Sequence, residues 1–188
     1  MRKPSLALLL LAALPLAGQQ VKFPPAFEKL AAKASETVNV NLDASMLGLA
    51  GRFISEDKPE EAAAKKLLGG LKGIYVRVFE FEKPGAYARA DLDSIREQLR
   101  GPGWNCVFSA QKKQDEESVE ICLHHDGDVV TGLTVLAAEP TELTVVNLVG
   151  LIRPEDLATL SGKFGIPKIK TGPKALMQPK AAPTKKDE

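Results

Sequence analysis

Histidine, cysteine and tryptophan are scarce in this chain: 188 residues include two histidines, two cysteines and one tryptophan. Both histidines stand side by side in "VEICLHHDGDVV", next to Cys122 and the carboxylates Asp126 and Asp128. With no histidine elsewhere, most Ser-His and Cys-His nucleophilic arrangements are excluded. No Cys-x-x-Cys pair opens a helix, so the usual frame of a redox-active dithiol is missing. No glycine loop is placed to cradle phosphate: "LLGGLKG" (Leu67 to Gly73) ends a helical pattern instead of starting one. Charge of one sign is also lacking, with a formal net charge of +1. Residues 19–167 carry about 17 basic and 22 acidic side chains, so the body is mildly acidic. That balance argues against binding a phosphate backbone, and no nucleic-acid partner is expected.

What is present begins with "MRKPSLALLLLAALPLAG". Arg2 and Lys3, a short apolar run and the small residues Ala17 and Gly18 have the layout of a secretory signal cleaved near Gly18. The run falls short of the about 20 residues a membrane span needs, so the alternative of an uncleaved anchor ranks second. The expected product is periplasmic or secreted. The first cysteine is Cys106, so no lipid-anchoring cysteine follows the signal. Residues 19–37 read as an N-terminal segment and 38–167 as one α+β domain. Residues 168–188, with six lysines against Asp187 and Glu188, read as a disordered Lys/Pro/Ala-rich tail. Hydrophobic residues are 44% of the chain, enough for a sizeable core.

Within the domain, "VNVNL" (Val38 to Leu42) alternates like a strand, and Asp43 caps a helix in which Met46, Leu49, Ala50 and Phe53 form one apolar stripe. Pro59 opens a second helix, closed by Gly69, Gly70 and Gly73. "GIYVRVFEFE" (Gly73 to Glu82) is the clearest strand, with Ile74, Val76 and Val78 on one face and Tyr75, Arg77, Phe79 and Phe81 on the other. A helix with Leu92, Ile95 and Leu99 follows. Four β segments come next: "WNCVFSAQ", "SVEICLHH", "VVTGLTVLAA" and "ELTVVNLVGLI". Arg153-Pro-Glu-Asp156 starts a last helix bearing Leu157, Leu160 and Phe164. The order from Gly73, strand, helix, four strands, helix, implies an antiparallel meander with helices on one face, a two-layer α+β sandwich.

The chemical-looking residues have bland readings in this frame. A strand runs up to His124 and His125, which then point to opposite faces, and Asp126-Gly127 makes the hairpin turn. No metal ligand set and no cofactor is expected there. Glu80 and Glu82 share a face near an exposed strand end. Cys106 and Cys122 lie symmetrically about Gln114, so folding the two strands sets them opposite one another. The same register puts Trp104 against His124, Val107 against Ile121 and Ser109 against Val119. Opposed antiparallel residues meet disulfide geometry, and export favours oxidation, so a cross-strand disulfide closing about 17 residues is the favoured reading. Two buried free thiols are the alternative. The mostly apolar face Tyr75, Arg77, Phe79 and Phe81 must be covered, either by residues 27–70, by a partner or by a ligand near Arg77.

The run from "LAGRF" and "AAKKLLGGLKGIYVRVFEF" through "ELTVVNLVGLI" to "DLATLSGKFGIP" resembles the exported bacterial proteins grouped as domain of unknown function 4252. The likeness covers most of Leu42 to Pro167. It carries no catalytic motif, so it implies no catalytic residue. Many members of that family look like lipoproteins, and some are encoded near envelope-stress sigma-factor systems. The resemblance therefore implies a regulatory or envelope-maintenance role. The leading expectation is a non-enzymatic protein that binds an envelope protein partner. A small-ligand or lipid carrier is the second, and an enzyme the third.

Overall fold

A computed structural model describes residues 19–112 and 116–153. Six strands form one sheet: β1 (Glu36–Asp43), β2 (Leu71–Glu80), β3 (Trp104–Lys112), β4 (Glu117–Asp126), β5 (Val129–Glu139) and β6 (Glu142–Gly150). Their spatial order is β1-β2-β6-β5-β4-β3, and every neighbouring pair is antiparallel. The helices are α1 (Pro25–Glu28), α2 (Ala44–Arg52), α3 (Pro59–Gly70) and α4 (Asp93–Gln98), with 3-10 turns at Lys29–Ala32 and Arg89–Leu92. The architecture is α+β on an antiparallel sheet. The expected signal, last helix and tail lie outside the described residues.

The strand order follows from side-chain character. β2 is apolar on both faces and starts two residues earlier than the pattern suggests, at Leu71. It sits inside the sheet, flanked by β1 and β6. β3 carries Asn105, Ser109, Gln111 and Lys112, and takes an edge. The β4–β5 hairpin turns on Gly127 and Asp128, one residue later than expected, because Asp126 still pairs with Val129. Gly127 has φ +60, a conformation a side chain disfavours.

Alternation divides the sheet into two cores. On the first face Phe79, Leu136, Leu143, Val145 and Cys122 pack with Phe27, Leu30, Leu92, Ile95 and Leu99. On the second, Leu133, Val135, Val146 and Leu148 pack with Leu47, Leu67, Leu71 and Ile152. Helical segments thus flank both faces, where the sequence pattern suggested one. The reason is that the central strands are apolar on both sides, and each side needs cover.

Two local expectations are corrected. In α2 only Leu47 turns inward, while Met46, Leu49 and the C-cap residue Phe53 stay 50%, 55% and 83% exposed. The helix begins directly after β1, so the strand's last residues fix its phase. Asp43 still caps it, accepting from the Ser45 and Met46 amides at 2.9 Å each. In the β3–β4 hairpin, Cys106 does oppose Cys122 and Trp104 does oppose His124. Beyond Cys106 the register shifts, pairing Phe108 with Ile121 and Ala110 with Val119. Val107 is the extra residue of a β-bulge and is 57% exposed.

Candidate functional site

On the face bearing Tyr75, Arg77, Phe79 and Phe81, the last three are interior and Tyr75 is half-buried. Phe79 and Phe81 are buried, and the ring of Phe27 meets Phe79 edge-on with centroids 5.4 Å apart. The cover comes from residues 19–34 and from Leu92, Ile95 and Leu99, whereas α2 and α3 serve the opposite face. Arg77 is nearly buried and held through two of its nitrogens: Nε donates to Glu28 at 3.0 Å, and Nη1 donates to Asn41 Oδ1 and the Val76 carbonyl, each at 3.0 Å. Its guanidinium lies 4.4 Å from the centre of the Phe23 ring. This is a clamp on the N-terminal segment, with Nε committed to the chain's own Glu28.

The same segment is held a second time by Asn147, fully buried in the middle of β6. Its Oδ1 accepts from the Val21 amide at 3.1 Å; its Nδ2 donates to Thr134 Oγ1 at 3.0 Å and to the Gln19 carbonyl at 3.3 Å. From α4, Gln98 both accepts from the Lys22 amide and donates to the Lys22 carbonyl, at 2.8 Å each. An extended strap brings backbone donors and acceptors into a core, and these amides satisfy them. Sequence reasoning missed both residues. The available signal was Asn147 itself, the one polar side chain in "VVNLVG", with Thr134 likewise alone in "GLTVL".

Cys106 and Cys122 form a disulfide, with Cα atoms 3.8 Å apart. Cys122 is buried and Cys106 exposed, so the bond joins edge strand β3 to the first core. Beside it, the rings of His124 and Trp104 meet edge-on at 5.2 Å, and His124 Nδ1 lies 2.9 Å from Thr131 Oγ1. Burial holds the His124 imidazole below its ordinary value of 6.5, with Asp126 opposing the shift. Gly103 (φ +82) backs onto this ring, and an added Cβ would lie 2.6 Å from Nε2. The ladder shifts between His124 and His125, and His125 opposes Val130. Among the described residues no three His, Cys, Asp or Glu side chains gather as metal ligands.

Two surface depressions flank the first core. One of about 250 Å³ is lined by Tyr87, Arg89, Glu116 and Ser118. Burial raises the Tyr87 phenol, with Glu139 adding to the shift, and its hydroxyl donates to the Glu139 carbonyl. The other, about 470 Å³, lies between the strap and α4 and is bordered by Lys22, Gln98 and Trp104. No described helix is long and apolar enough to cross a membrane.

Residues 28–160 match the family described as Domain of unknown function (DUF4252). The chain belongs to this family. No curated protein matches it. Among solved structures, crystal form III of TP0453 shares 13% identity with a TM-score of 0.23, covering 75% of this chain and 53% of that one. The chain thus spans about half the length of the solved protein it is similar to.

Proposed function

We propose that this family member is a non-enzymatic envelope protein that works by binding another protein through the outward stripe of α2. The observation that carries the reading is the exposure of Met46 and Leu49 on α2 and of Phe53 at its C-cap. Three large apolar side chains held in water on one element are the mark of a contact surface. The cap at Asp43 and the anchor at Leu47 fix the stripe in place, so little ordering is left for a partner to impose. Export by residues 1–18, with a regulatory or envelope-maintenance role outside the cytoplasm, belongs to the same reading. So does the layered sandwich, in which helices lie over the sheet and leave α2 at its border.

The test is affinity capture from envelope extract with the unaltered chain and with Leu49→Ser/Phe53→Ser. The expected result is a specific protein retained by the first and lost by the second, at equal thermal stability. Identical capture by both chains, or none, defeats the reading. The depression beside Trp104 favours a second reading, a carrier of a small apolar ligand. It predicts co-purified ligand in native mass spectrometry.

A further inference from the structure

We propose that β1 pairs with β1 of a second copy of this chain, antiparallel and centred on Val40, so that two six-stranded sheets join edge to edge. The inference rests on the edge strand and does not depend on the role assigned to α2. Among the described residues β1 has one strand neighbour, β2, and its other border presents a row of main-chain donors and acceptors. In the separated chain that border is open to water.

The two edges of the sheet are built differently. β3 carries the bulge at Val107, is polar at Asn105, Ser109 and Gln111, and ends in Lys112. Such devices blunt an edge against strand addition. β1 has none of them. Its eight residues ladder onto β2 without a shift, and "ETVNVNLD" holds neither lysine nor proline. It also leaves Val38 41% exposed.

The strand's own sequence identifies the second copy as the occupant, because it is complementary to itself. Centred on Val40, the register sets Val38 opposite Leu42 of the second copy, Val40 opposite Val40, Asn39 opposite Asn41 and Thr37 opposite Asp43. Val38, Val40 and Leu42 lie on the face of Ile74 and Val76, so apolar meets apolar there, and the polar pairs fall on the other face. No carboxylate faces a carboxylate: Glu36 falls beyond the paired stretch, and Asp43 meets Thr37. Centring on Asn39 would set Glu36 against Leu42, and centring on Asn41 would leave only Asn39 to Asp43 paired. The two-fold axis repeats each contact and keeps both α2 helices on one side of the joined sheet, where their exposed residues make one doubled surface. A pair of short strands buries less than the about 1,600 Å² of a standard interface, so association is weak, half-complete at roughly 10–100 μM.

The experiment is sedimentation of the full chain across that range, with two cysteine variants to read the register. The expected result is a monomer–dimer equilibrium, weakened at least tenfold in Val38→Lys, whose side chain is exposed and so leaves the folded chain intact. Under mild oxidation Val40→Cys is expected to give a dimer that reduction splits, and Asn39→Cys, which faces Asn41, to give none. A monomer at every concentration overturns the proposal, as does cross-linking of both cysteine variants or of neither. Loss of the dimer in Leu49→Ser/Phe53→Ser, with Val38→Lys still dimeric, also overturns it by placing the contact on α2.

Discussion

The two faces of the sheet are covered by different means. Over the first, beside α1, α4 and two 3-10 turns, lies an extended strap, residues 19–24, which brings unpaired peptide groups into a core and is tolerated because Asn147, Gln98 and Thr134 receive or orient them. Over the second lie helices, which satisfy their own backbone and ask of the sheet only apolar contact. The first arrangement is committed: removing the strap strands buried amides. The second is adjustable, and it is the face whose helix α2 carries the exposed stripe. A segment without regular structure can thus be the less replaceable half of a core.

Breaking the comparison at its hardest point means truncating Phe79, fully buried on the first face. Phe79→Ala is expected to cost about 3–5 kcal/mol in urea unfolding. Val76→Ala, half-buried on the second face of the same strand, should cost about 1–2 kcal/mol. Equal costs would erase the distinction between the faces. Next comes the disulfide: reduction, or Cys106→Ser/Cys122→Ser, should lower stability by about 3 kcal/mol. Two reactive thiols in unreduced, denatured protein would show that the bond does not form. Asn147→Ala leaves the Val21 amide without its partner, and a loss of about 1–3 kcal/mol is expected. Faster amide exchange at Val21, with β1 amides unchanged, would locate that loss in the strap.

The pH dependence is a finer probe of the first face. The folded His124 is harder to protonate than the unfolded one, so the unfolded chain binds more protons between the two pKa values. Its contribution is therefore complete above about pH 6.5 and is lost as pH falls toward the folded value. Urea midpoints at pH 5 to 8 should slope upward with pH, and His124→Gln should flatten that slope. The smallest stability effect belongs to the stripe: Met46→Ser and Phe53→Ser should stay within about 0.5 kcal/mol.

Much of this architecture is legible in the residues. Period-two alternation located β2 and the four-strand meander to within two residues, because a sheet buried on both faces leaves dense apolar signals. The cysteine pairing followed from symmetry about Gln114. The bulge at Val107 was not readable, since nothing in "NCVFS" distinguishes an extra residue from a regular one. The phase of α2 was also hidden: Met46, Leu49 and Phe53 make a better apolar stripe than Leu47 does, but the junction with β1 decides which side faces in. The strap escaped notice because extended loops have no period, and its partners are single polar residues inside apolar strands.

The cystine also makes the two margins of the ribbon unequal. β3 is covalently fastened to its neighbour, whereas β1 is joined to β2 by a ladder that water can compete for along its outer border. Fraying under load or mild denaturant should therefore begin at β1 and travel inward. The terminal strand at the far side is then the last to let go.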